Sequence, residues 1–84
     1  MGYMRQLSIR DLGMLRQRND ARMKRLETII DELEARAGDD EFSLPEKDRQ
    51  QLWRFRDELY RRKWERVNLK QQMQKIMDRA NKNL

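Results

Sequence analysis

The sequence has no cysteine and no histidine, a single proline and only three glycines. Without cysteine there is no disulfide, no thiolate nucleophile and no sulfur ligand; without histidine there is no imidazole base and none of the usual zinc or haem ligation. Hydroxyl nucleophiles are scarce too, since Ser8, Thr28 and Ser43 are the only short hydroxyl side chains. Long apolar runs are missing: no segment approaches the ~18 apolar residues of a membrane span. Residues 1–10 hold no continuous apolar stretch of the signal-peptide kind, and Gln6 stands where a myristoylation motif needs Ser or Thr. Absent cysteine fits a reducing compartment, so the expected location is cytoplasmic, with no membrane partner.

What the chain does have is charge. Of its 84 residues 42% are charged and 37% apolar, with a net charge of +5 and a mean hydropathy of -1.22. That is one small domain at most, with too little apolar material for an enzyme-sized core and its pocket. Catalysis, cofactors, metal ions and a small-molecule substrate are therefore not expected. Function by binding is.

Ser8-Ile9-Arg10-Asp11 has the form of a capping box: a hydroxyl for an orphan backbone N–H, and an acid three residues on that reaches back. From there Leu12, Leu15, Asn19, Met23, Leu26, Ile30, Leu33 and Ala37 recur every three or four residues, with Ile29 widening the stripe. Gly38 falls where a helix ends. These signals predict a first helix over residues 9–37 and a turn over 38–43. Ser43-Leu44-Pro45-Glu46 reads as a second capping box, which predicts a second helix over 44–80. Its stripe runs through Leu52, Phe55, Leu59, Arg62, Arg66, Leu69, Met73, Ile76 and Ala80, nearly a 3.5-residue repeat with two arginines in the middle. Residues 1–7 and 81–84 are expected to fray.

A short connection between two long helices makes them antiparallel, with facing positions whose numbers sum to about 82. The expected fold is all-α: an antiparallel two-helix hairpin with coiled-coil-like packing, completed by self-association or by a partner. In this register Leu26 meets Phe55, Ile30 meets Leu52, and Leu12 meets Leu69. The polar breaks of the two stripes coincide, Asn19 falling beside Arg62 and Lys63. Such a layer is either a register-fixing contact or a basic notch for a phosphate.

Two features are left over. Trp53, Tyr60, Trp64 and Val67 form a second line on the second helix, rotated about 100° from Leu52, which one partner helix cannot cover. Either it becomes the core of a homodimeric four-helix bundle, or it docks a different protein. Charge, meanwhile, is segregated. Residues 1–25 carry +5, residues 26–48 carry -7, and residues 49–84 carry +7, so the hairpin has an acidic turn and a basic open end. That end offers Arg18, Arg22 and Arg25 on one helix and Arg61, Arg62, Lys63 and Arg66 on the other as phosphate contacts for DNA or RNA, with Trp64 placed to stack on an exposed base. The alternatives are head-to-tail pairing of acidic and basic ends, or charge that simply keeps long helices hydrated. The acids Asp39, Asp40 and Glu41 lack the ligand spacing of a calcium loop and read as a solvated turn.

Leu26-Glu27-Thr28-Ile29-Ile30-Asp31, together with Leu44 to Asp57 and its Leu52-Trp53 pair, is loosely similar to the Hha family of small bacterial regulators that bind a nucleoid protein. The likeness covers about a third of the chain, and Asp57 alone carries over from that family's signature. The architecture also resembles the Rop type of dimeric RNA-binding hairpin in shape. The first resemblance implies a nucleoid or regulatory role; the second is one of shape, which does not establish function. The expected function is that of a small non-enzymatic regulatory protein that binds nucleic acid through its basic open end. The alternative is an interaction module docking through Trp53, Tyr60 and Trp64, as an assembly factor, virion component or inhibitor.

Overall fold

A computed structural model describes residues 8–82. Helix α1 spans Ile9–Ala37 and helix α2 spans Glu46–Lys82, joined by a turn that contains a single 3₁₀ turn at Glu41–Ser43. The described residues include no strand, and no helix among them is long and apolar enough to cross a membrane. The helices pack side by side as an antiparallel hairpin 59 Å long and 15 Å thick.

The ends of α1 follow from its capping residues. Ser8 is extended, its Oγ accepts from the Asp11 N–H at 3.1 Å, and its own N–H donates to the Asp11 carboxylate at 3.3 Å, closing the capping box. Gly38 ends the helix at φ 63° and ψ -132°, a conformation that a β-carbon would strain, and its N–H donates to the Glu34 carbonyl at 3.0 Å.

The start of α2 differs from expectation. Leu44 is extended at φ -73° and ψ 147°, because a residue before proline is pushed out of the α region. Helix α2 therefore begins at Glu46 rather than Leu44, and Ser43 does not cap it. The Ser43 hydroxyl instead donates towards the carbonyls of Ala37 and Asp40, at 2.9 and 2.7 Å, and so serves the end of α1. Asp40 accepts the Phe42 N–H at 3.0 Å, and Leu44 turns its side chain into the core. At the other end Asn81 and Lys82 are still helical; residues 1–7, expected to fray, lie outside the described residues, as do 83 and 84.

Every member of the α1 stripe is buried except Leu15, whose level on α2 is taken by Arg66. On α2 only Leu52 and Leu69 are buried, while Phe55, Leu59, Arg62, Met73 and Ile76 are half-buried and Arg66 and Ala80 exposed. The contiguous core sits at the turn end: Leu26, Ile30, Leu33, Ala37, Leu44 and Leu52, with Ile29, Phe55 and Leu59 against it. A radius of gyration of 18.2 Å, against about 12 Å for a compact domain of this length, measures how little of the hairpin folds back on itself.

Candidate nucleic-acid interface

The polar layer forms where the two stripes break. Asn19 is 4% exposed; its Nδ2 donates to the Arg62 carbonyl at 2.9 Å, and its Oδ1 accepts from the Arg62 guanidinium at 3.2 Å. Arg62 also donates to Glu58 at 2.7 Å, and Arg22 crosses from α1 to grip the same carboxylate at 2.8 and 3.0 Å. Hydrogen bonds from Arg22 first, and then Arg62, outweigh partial burial and hold the Glu58 carboxyl at about 2, well below its ordinary 4.5. Glu58 raises Arg22 in return. This layer is a closed network rather than an open notch. Its geometry suits fixing the register, because sliding either helix would strand a buried amide.

Six of the seven basic residues singled out in the sequence occupy three different surfaces, and the seventh, Arg62, is turned inward. Arg18, Arg22 and Arg25 share one flank of α1, at spacings of four and three. Lys63 and Arg66 lie along the opposite side of the hairpin, where Arg66 stands 3.6 Å from Asp20. Arg61 points outward from α2 and pairs with Asp57 one turn earlier, while Arg62 is turned into the polar layer. Among the described residues Arg18, Arg25 and Lys63 have no ion-pair partner, and the other four do. Those pairs are a third or more exposed on at least one partner, so they compete weakly with an incoming anion.

A groove on the Lys63 side brings basic residues from both helices together. Arg16, Lys63, Arg66 and Lys70 line an open cleft of about 400 Å³ with Glu27, Met23 and Val67. Asp20 lies at its edge, 3.9 Å from Arg16, with one carboxylate oxygen buried and without a hydrogen bond. Arg16 and Lys70 fall within the basic segments 1–25 and 49–84, but their convergence with Lys63 and Arg66 depends on the register.

The turn end is the electrostatic opposite. Arg56 binds Glu34 of α1 at 2.9 Å and Glu41 of the turn, and Arg36 pairs with Asp48 at 3.3 Å. The Arg56 hydrogen bond, followed by one from Trp53, lowers the Glu41 carboxyl. Three of the nine acids of residues 26–48, Glu34, Glu41 and Asp48, are thus paired within the chain.

The aromatic line on α2 is solvent-facing: Trp53 is 45% exposed, Tyr60 62% and Trp64 56%. Trp53 is tied into the turn, its Nε1–H donating to Glu41 at 3.2 Å and its ring facing the Arg49 guanidinium, which also lies 4.9 Å from the Phe42 ring. Tyr60 and Trp64 meet edge to face at 6.4 Å and are otherwise open. Comparison of the chain with family models, curated proteins and solved structures finds no match, so the functional argument rests on these surfaces.

Proposed function

We propose that this hairpin is a non-enzymatic nucleic-acid-binding protein whose basic open half takes up phosphates. The observation that carries the reading is the groove between α1 and α2, where Arg16, Lys63, Arg66 and Lys70 converge against two acids, Glu27 in its lining and Asp20 at its edge beside Arg16 and Arg66. Four cations spaced along two rigid helices neutralise neighbouring phosphates and release their counterions, the dominant source of affinity for nucleic acids. Arg18 and Arg25, on the other flank of α1, extend the positive field and steer association. The turn half, built on its own apolar cluster and ion pairs, holds the two helices in register and so keeps the groove formed.

Fluorescence anisotropy of labelled DNA and RNA across a salt series tests this. Binding is expected to weaken steeply with salt, and exchanging Lys63 and Lys70 for Gln is expected to reduce the slope of log affinity against log salt by about two. Both lysines are exposed, so helicity is expected to be unchanged in this variant. Absence of binding at low salt, or an unaltered slope in the variant, overturns the proposal.

A further inference from the structure

On α2 the seam towards α1 follows Leu52, Phe55, Leu59, Arg62 and Leu69, and the aromatic line lies on the far side of the helix, about 150° away for a 3.5-residue repeat. The rows that border it are basic on both sides. One edge carries Arg49, Arg56, Lys63 and Lys70, each seven residues from the next; the other carries Arg54, Arg61 and Lys75. Inside the face Asp57 is the sole acid between Trp53 and Gln71, and it is paired with Arg61. Val67 lines both this face and the groove, and Lys63 and Lys70 belong to both, so the two surfaces are continuous.

This charge pattern decides what can cover the rings. A second copy of the chain packed through the same face sets basic rows against basic rows in either orientation, and the acids at the face, Asp57 and Glu41, are already engaged by Arg61 and Arg56, which leaves Lys63, Lys70, Arg54 and Lys75 without an acid opposite them. The occupant must be anionic. It must also offer flat apolar surfaces, because the face is three aromatic rings with one aliphatic side chain, Val67, and lacks the ridge of Leu and Ile that an incoming amphipathic helix fills. A nucleic-acid strand with unstacked bases has both properties: phosphates for the flanking cations, and bases whose π-faces stack on Tyr and Trp. A duplex hides those faces. Asn68 and Gln71, exposed just beyond Trp64, supply amides for base edges.

We infer that the outward face of α2 is a stacking platform for single-stranded nucleic acid, with Tyr60 and Trp64 receiving bases while Lys63, Lys70 and Arg61 hold the backbone. The inference rests on the nucleic-acid reading above and narrows it to single strands. Trp53, fixed by Glu41 and Arg49, closes the platform at the turn end.

The two tryptophans of the chain both lie on this face, so tryptophan emission reports on it alone. Titration of the 84-residue chain with an oligothymidylate of about 15 nucleotides is expected to quench tryptophan emission saturably, and a duplex of equal length is expected to quench it far less. Replacing Tyr60 and Trp64 together by Ala is expected to weaken oligothymidylate binding by anisotropy about tenfold or more, with circular dichroism unchanged because neither ring is core. A Trp64→Phe variant is expected to retain most of the affinity. Salt-dependent binding that is indifferent to the double variant overturns the platform while leaving the groove reading intact; no binding of any nucleic acid overturns both. Equal quenching by duplex overturns the single-strand assignment. Quenching by polyglutamate that matches the oligonucleotide turns the face into a site for acidic protein. An emission change that follows protein concentration alone makes it a self-association surface.

Discussion

The two halves of the hairpin are built from the same two helices and hold together by different means. The turn half owns the contiguous cluster of six buried side chains, reinforced by Arg56 bridging Glu34 and Glu41. The open half buries Leu12, Leu69 and Met23 around a polar layer, leaves Leu15 39% exposed, and spends two positions of its α2 seam on arginine. A contiguous apolar cluster dominates one end; a buried amide, Asn19, and partly exposed ion pairs dominate the other. The contrast separates tasks: a scaffold that needs no ligand at the turn, and a charged surface at the open end that gives up packing to display cations.

Cutting one leucine in each half breaks the comparison most directly. Leu52 is fully buried in the cluster, and Leu52→Ala is expected to cost about 4 kcal/mol, within the range for core leucines. A hairpin of this size has about 3 to 5 kcal/mol in all, so that variant is expected to be largely unfolded at 25 °C by circular dichroism. Leu69 is 3% exposed but lies outside the cluster, and Leu69→Ala is expected to cost about 2 kcal/mol as the surrounding side chains settle into the gap. Hydrogen exchange is expected to show its loss confined to the open half. Equal global destabilisation by both changes would show that the halves unfold as one unit.

The polar layer is expected to respond to acid. Glu58 has a folded value of about 2 against an ordinary 4.5, so the stability it contributes is complete above about pH 4.5 and is lost as pH falls towards 2. Glu41, also lowered, acts in the same direction at the turn. In Glu58→Gln the acid-sensitive drop is expected to shrink. At pH 7, with that carboxylate 33% exposed, the variant is expected to lose about 1 kcal/mol. Urea melts at pH 7 and pH 3 measure both effects; an identical pH dependence in the two proteins would remove Glu58 from the layer's energetics.

Much of this architecture was legible because local signals and periodicity agree. Ser8 with Asp11 and Gly38 bound α1 by capping chemistry alone, and the coincidence of Asn19 with Arg62 emerged from two stripes read separately. The start of α2 was misplaced because Ser43 and Glu46 imitate a capping box, while the constraint that Pro45 puts on Leu44 is stronger. At the site, residue type identified the basic end, but which cations converge depends on helix phase. Arg22 and Arg66 are equally arginine, yet they reach across the seam on opposite sides, to Glu58 and Asp20. Glu58 itself drew no notice, because an acid on a charged helix looks like every other until two guanidiniums are found on it. The basic rows beside the tryptophans follow from a heptad count, and they stand out only once the outward face is known to be uncovered.

The smallest expected effect sharpens the comparison from the other direction, by strengthening the weaker half. Gly13 lies inside α1 near the open end, where a glycine costs backbone entropy with no compensating close approach. A β-carbon at Gly13 meets nothing within 4 Å, so Gly13→Ala adds no clash and no contact. Its expected gain, about 0.5 to 1 kcal/mol, acts on helix formation alone. If the open half unfolds before the turn half, amides around Gly13 are expected to exchange several-fold more slowly while the urea midpoint of the turn half barely moves. A midpoint that rises by the full amount would mean that the two halves are thermodynamically one, with the polar layer coupling them as tightly as a run of leucines would.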